Sequence, residues 1–190
     1  MGKFNSYRII TLLALLLTVS LGNAQETKKL SITNSPIHLS LSILELMAEY
    51  QVAPKIGAAG ILGYGSITET DNWGDEVEIP ILEIGGQLNY YLLGNFDKGM
   101  QVGLELLYIN LSLPEDEVAT IIANGLGIGP YLGYKWTAVS GLTFDIQAGY
   151  EKFLAQVKAK DSFGNEIEDS VQGGIPLINL NLGWSFLGLS

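Results

Sequence analysis

Residues 80–94, PILEIGGQLNYYLLG, place Leu82, Ile84, Leu88, Tyr90 and Leu92 on even positions and Glu83, Gln87 and Asn89 on odd ones. Successive side chains of an extended chain point to opposite sides, so this period of two predicts a strand with one apolar and one polar face. The pattern recurs over 141–153, where Leu142, Phe144, Ile146, Ala148 and Tyr150 oppose Thr143, Asp145, Gln147, Gly149 and Glu151. Near the end of the chain Ile178, Leu180, Leu182, Trp184 and Phe186 oppose Asn179, Asn181, Gly183 and Ser185. Residues 119–137 set Leu126, Ile128, Leu132, Tyr134 and Trp136 against Gly125, Gly127, Gly129, Gly133 and Lys135. Pro130 falls on the apolar parity there, and because proline cannot complete a ladder it predicts a bulge or a rim position. Weaker alternation covers 42–52, 55–66 and 99–111.

The links between these segments come in two kinds. Those around 53–55, 94–99 and 139–141 are tight, whereas 67–78, 113–118 and 158–171 are long and acidic. Tight and long links alternate along the chain, as in an up-and-down sheet with all its tight turns at one end. Keeping both termini at that end requires one more strand before residue 42, and residues 28–37 (KKLSITNSPI) are taken as that strand. The count is eight.

Ahead of the first strand, Lys3 and Arg8 precede the apolar run Ile9–Val19, and Gly22-Asn23-Ala24 places small residues before a cleavage point. This reads as a secretory signal peptide, 1–24, cut after Ala24; its apolar run is shorter than the roughly 20 residues a membrane-spanning helix needs. Residues 25–190 remain as one domain. They carry 8 Lys, no Arg and all 20 acidic residues, a formal charge of −12. Such a chain has nothing to neutralise phosphates, so nucleic acid is excluded as a partner. With no cysteine, disulfides, a lipidated-cysteine anchor and zinc-thiolate chemistry are excluded as well. Yet 47% of the residues are hydrophobic, only 16% are charged, and there are 23 glycines, which is greasy for an acidic soluble protein.

Eight alternating strands can close into a soluble calycin-like barrel, apolar inside, or a transmembrane one, apolar outside. Three features favour the second. With the chain running upward into each long link, Tyr64, Tyr108 and Tyr150 gather near the long-link end of the apolar face. Tyr50, Tyr90, Trp136, Trp184 and Phe186 gather near the tight-turn end, giving two aromatic belts suited to lipid interfaces. The polar face is rich in glycine and places Glu45, Glu83, Gln87, Glu105, Asp145, Gln147 and Glu151 in mid-strand, with Lys135 nearer an end. The last strand carries Trp184 and Phe186 close to the carboxyl terminus. The expected fold is therefore all-β: an eight-stranded antiparallel up-and-down transmembrane β-barrel.

The segment LNLGWSF, the triplets Leu62-Gly63-Tyr64, Leu132-Gly133-Tyr134 and Leu182-Gly183-Trp184, and MAEYQVAPKIGAAGILGYGS at 47–66 carry a resemblance. The chain resembles small outer-membrane β-barrel proteins of Gram-negative bacteria, of the OmpA/OmpX-like barrel superfamily. More narrowly it is similar to an eight-stranded family of uncharacterised function in which a strand ending in Glu-Tyr or Tyr-Glu precedes a Pro-Lys turn. The resemblance implies an outer-membrane location, lipid and lipopolysaccharide as surroundings, and a monomer. It also implies insertion by the outer-membrane barrel insertase, which reads a terminal strand ending in an aromatic. Here Leu187-Gly188-Leu189-Ser190 follow Phe186, a departure from that pattern.

The interior of an eight-stranded barrel is about wide enough for its own side chains. Glu45, Glu83, Gln87, Glu105, Lys135, Asp145, Gln147 and Glu151 are expected to fill it as a polar network. The alternative is a narrow, porin-like, cation-selective path. The long links hold 12 of the 20 acids: Glu69, Asp71, Asp75, Glu76 and Glu78; Glu115, Asp116 and Glu117; Asp161, Glu166, Glu168 and Asp169. They lack the ligand spacing of an EF-hand and read as a solvated surface. His38, the single histidine, and Ser40 would share a face of a strand. This pair resembles the His-x-Ser of outer-membrane lipid A deacylases, with Glu45 or Glu49 as an orienting acid. Chance explains so short a pattern, so no catalytic residue is assigned. No metal site and no nucleotide or redox cofactor is expected, and the role is read as structural or interactive at the cell envelope.

Overall fold

The computed structural model describes residues 28–70, 76–112, 119–161 and 166–187, so residues 1–24, expected to be a signal peptide, lie outside the described residues. Eight strands follow one another as β1 (Lys28–Asn34), β2 (Ile43–Ala53), β3 (Ile56–Thr70), β4 (Glu76–Gly94), β5 (Lys98–Ser112), β6 (Ala119–Thr137), β7 (Leu142–Asp161) and β8 (Glu166–Leu187). Each pairs antiparallel with the next, and β8 pairs back to β1, closing the barrel.

The stagger of the ladder sets the shape. Stepping from Ile32 across Ala48, Gly60, Gly86, Leu106, Ile128 and Lys152 leads to Gly174 on β8, whereas Ile32 itself pairs with Trp184, ten residues further along. With about 3.3 Å per residue and about 4.7 Å between strands, that stagger over eight strands tilts them by about 40° to the barrel axis. The two faces then separate as the alternation requires. Leu44, Leu62, Ile84, Leu88, Leu104, Leu106, Leu126, Leu132 and Ile146 are exposed on the outside, while Glu49, Glu83, Gln87, Asn89, Gln101, Lys135, Asp145 and Gln147 are buried inside. This is the inverse of a soluble barrel, whose apolar side chains face inward.

Three expectations change. The segment 28–37 is not all strand: β1 stops at Asn34 and a one-turn helix, α1 (Pro36–Ser40), follows. Ser35 caps it, its hydroxyl accepting from the His38 amide, and Pro36 occupies a first-turn position where its missing N–H costs nothing. Second, the long acidic links at 67–78 and 158–171 are strand wherever they are described, and the link at 113–118 lies outside the described residues. Glu69, Glu76, Glu78, Asp161, Glu166, Glu168 and Asp169 belong to β3, β4, β7 and β8, with backbone pairs such as Glu69↔Val77 and Lys158↔Glu168. Asp71, Asp75, Glu115, Asp116 and Glu117 lie outside the described residues. Third, Pro130 sits in mid-β6 rather than at a rim; the β6–β7 pairing lapses between Ile128 and Tyr131 but resumes in the same register, so there is a gap and no bulge.

Candidate functional site

The side chains converging in the lumen form three tiers from the tight-turn end upward. In the lower tier Glu49 is fully buried. Its Oε2 accepts from Lys135 Nζ at 2.6 Å, and its Oε1 accepts from Asn89 Nδ2 at 2.8 Å and from the Tyr91 hydroxyl at 2.7 Å. Phe96 closes the tier from below. It reaches the lumen from the β4–β5 turn, where Gly94 takes a φ of +81° and Asn95 Oδ1 accepts from the amides of Asp97 and Lys98. The ring lies 3.6 Å from Lys135 Nζ and meets Tyr91 edge-on at 5.9 Å between centroids. Lys135 thus has a carboxylate on one side and a π-face on the other, a combination that compensates a buried ammonium.

The middle tier is built from amides. Gln87 and Gln147 donate to each other, Nε2 to Oε1, at 2.9 Å and 3.2 Å. Gln147 Nε2 also donates to Asp145 Oδ2 at 3.1 Å, and Gln101 Nε2 reaches Asp145 Oδ1 at 2.8 Å. Glu105 Oε2 accepts from Gln87 Nε2 at 2.5 Å and from Asn179 Nδ2 at 3.1 Å. The Tyr131 hydroxyl lies 2.8 Å from Gln87 Oε1 and also contacts Asn89 Oδ1, linking this tier to the one below. Amides suit the position because each offers donors and an acceptor, so one side chain satisfies neighbours of both kinds.

The upper tier is different. Beside an apolar cluster of Met47, Ile61 and Leu107, it holds Glu45, Glu83 and Glu151. Glu83 is only 3% exposed, and its Oε2 has no hydrogen-bond partner among the described residues; the same holds for Glu151 Oε1. Space is cleared for both carboxylates by glycine on the adjoining strand, since a Cβ at Gly63 or Gly127 would collide with Glu83 or Glu151. The nearest cationic candidate is His38 on α1, whose Nδ1 lies 3.5 Å from Glu45 Oε2 and 3.0 Å from Ser35 Oγ. One ring nitrogen of His38 and one carboxylate oxygen each of Glu45 and Glu83 lie within 4.8 Å of one another.

All eight side chains expected in the lumen lie inside it and are buried. The chain neighbours of Lys135 would suggest Asp145, opposite it on the β6–β7 ladder, but Nζ crosses to Glu49 instead. Asn89, expected on the polar face, joins the network, and so do Glu49, Tyr91, Gln101, Tyr131 and Asn179, which share its inward parity. Phe96 carries no such signal, because a turn residue has no period. On the outside, Tyr50, Tyr64, Tyr90, Tyr108, Trp136 and Tyr150 are exposed, and Phe186 is half-buried. Trp184, expected at the same interface, is only 8% exposed; it packs against Gly141, whose φ of +109° and missing Cβ let the β6–β7 turn approach the indole. His38 and Ser40 lie on a helical turn, not on one face of a strand. Ser40 Oγ donates to the Ile37 carbonyl at 2.6 Å, and the hydroxyl beside the imidazole belongs to Ser35.

No protein-family model matches the chain, and no curated protein matches it. Among solved structures, the crystal structure of a major outer membrane protein from Thermus thermophilus is similar, with a TM-score of 0.44 and 17% identity over 84% of this chain and 100% of that one.

Proposed function

We propose that the protein is an integral outer-membrane β-barrel with a filled lumen and a structural or interaction role at the cell envelope. The observation that carries this reading is the exterior. From Leu82 to Leu92 the outward positions of β4 are Leu82, Ile84, Gly86, Leu88, Tyr90 and Leu92, with no charge among them. At about 3.3 Å per residue and about 40° of tilt, that stretch covers about 25 Å along the barrel axis, the height of the apolar band of outer-membrane barrels. Exposed tyrosines border it, Tyr64, Tyr108 and Tyr150 above and Tyr50, Tyr90 and Tyr134 below. In water so much apolar surface would drive aggregation; in lipid it is the solvated face.

The finer parts of the reading follow from this setting. A Gram-negative envelope supplies lipopolysaccharide on the strand extensions and the barrel insertase during assembly, and eight strands with the quoted motifs suit an OmpA/OmpX-like barrel acting as a monomer. The packed tiers favour a closed lumen over a cation path, because Glu49, Lys135, Tyr91 and Phe96 occupy its lower end. No catalytic role is proposed: His38 and Ser40 do not face one another, and lipid A from cells with and without the protein is expected to carry the same acyl chains by mass spectrometry.

Fractionation with heat-modifiable gel migration tests the proposal. The protein should remain in the sarkosyl-insoluble membrane fraction and run faster unboiled than boiled. Recovery as a freely soluble periplasmic protein would overturn it. In planar bilayers the purified barrel should pass no current, and a steady cation current would replace the filled-lumen reading by the pore.

A further inference from the structure

We infer that His38, Glu45 and Glu83 form a binding site for one divalent transition-metal ion of the Zn²⁺ class in the upper lumen. Two observations meet at this place. The first is the donor set: an imidazole nitrogen and two carboxylate oxygens, from α1, β2 and β4, converge within 4.8 Å of one another. Zinc bonds of about 2.0–2.2 Å hold tetrahedral ligands roughly 3.4 Å apart, so small side-chain rotations bring the three atoms onto one ion. The second is the orphaned acceptor. Glu83 Oε2 is buried with no hydrogen-bond partner among the described residues, and unlike the unpartnered amide and hydroxyl oxygens lower in the lumen, such as Gln101 Oε1 and Asn181 Oδ1, it belongs to a carboxylate beside two further metal-ligating groups. A buried carboxylate without a donor is costly, and a bound cation would offset that cost.

The chemistry of the set selects the ion. Two carboxylates carry a charge of −2, which a divalent ion balances; the described residues include no arginine, and the buried lysine is already engaged by Glu49. The imidazole favours a borderline ion such as Zn²⁺ over the hard Ca²⁺ and Mg²⁺, which prefer all-oxygen shells. Access exists, because the His38 side chain is 22% exposed while Glu45 and Glu83 lie behind it. Three protein ligands leave a fourth position for water. The ion would clasp the β1–β2 link, a single helical turn, to the wall formed by β2 and β4. The inference rests on the barrel and its side chains and is independent of where in the cell the barrel resides.

The test is calorimetric titration of Zn²⁺ alone into the full, chelator-stripped barrel in detergent micelles, with folding of every variant verified by heat-modifiable migration. Wild type should take up one Zn²⁺ per barrel. His38→Ala and Glu83→Gln should each weaken binding by tenfold or more, while Glu151→Gln, which neutralises another carboxylate with an unpartnered oxygen outside the triplet, should leave it within about twofold. Absence of uptake by wild type overturns the inference, and so does equal weakening by Glu151→Gln, which would indicate diffuse attraction to lumen acids. His38→Ala alters an exposed link rather than the wall, so it decides the matter alone if Glu83→Gln does not fold.

Discussion

Glu49 and Glu83 are both buried glutamates on inward positions, one at the bottom of the lumen and one near the top. Glu49 accepts from an ammonium, an amide and a phenol, whereas Glu83 has an oxygen that accepts from nothing among the described residues. The difference lies in what surrounds each. Around Glu49 the inward positions carry Asn89, Tyr91 and Lys135, and a turn delivers Phe96 beneath them; around Glu83 they carry Ile81, Leu107 and Ile109 together with two more glutamates. In the lower lumen the charged groups Glu49 and Lys135 thus compensate each other within a packed plug, even though neutral atoms such as Gln101 Oε1 and Asn181 Oδ1 are left without a partner among the described residues. The upper lumen gathers three carboxylates beside a single imidazole, His38, the arrangement on which the inferred metal site rests.

Substitutions in the two tiers put this contrast at risk. The largest effect is expected from Lys135→Met, which leaves Glu49 as an uncompensated buried charge and should cost about 3–5 kcal/mol of unfolding free energy, measured by urea titration in micelles. Adding Glu49→Gln to it should recover most of that loss; no recovery would mean that the pair is not coupled. Phe96→Ala removes the floor of the plug and should cost about 3 kcal/mol in the same titration. It is also the variant in which a bilayer current, silent in wild type, is expected to appear.

In the upper lumen the sign reverses. Glu83→Gln, studied in chelator, should raise stability by about 1–2 kcal/mol, because it replaces an unpartnered buried charge by a neutral isostere. The same change at Glu49 should lower it, and a loss at both positions would erase the distinction between the tiers. Ser35→Ala should have the smallest effect, about 1 kcal/mol from the lost cap of α1. It should be visible as faster hydrogen exchange at the His38 amide, with the strand amides unchanged.

Much of this was legible in the sequence, and the limits have physical causes. Period-two alternation named the strands and sorted Glu83 from Leu82 and Lys135 from Trp136, because a strand in a barrel with unlike surroundings on its two faces has no other way to place them. The same signal ends where the surroundings become alike. Residues 67–70, 76–78, 158–161 and 166–171 continue as strand, and their mixed, acidic sequence does not alternate in the way the apolar band does. Parity also says which face a side chain takes but not which partner it finds across the lumen. By parity Lys135 is equally available to Asp145 and to Glu83, and only the tilt of the strands brings it to Glu49. At Pro36–Ser40 the pair Ser35-Pro36 caps a helical turn, a local signal that strand counting over 28–37 does not register. Phe96 and Trp184 depend on how turns fold back over the barrel ends, which no periodic pattern encodes.

A membrane-spanning barrel requires even-numbered residues of β4 to face lipid while odd-numbered ones face a packed polar lumen. The chain contains no cysteine, so single cysteines can be introduced at each position from 82 to 92 without background. Spin labels attached to them in reconstituted bilayers would report collision with oxygen, which concentrates in the hydrocarbon. High oxygen accessibility is expected at positions 82, 84, 88, 90 and 92, and low accessibility with restricted motion at 83, 87, 89 and 91. Loss of the alternation, or its inversion with the odd positions in lipid, would contradict the assignment of the two faces.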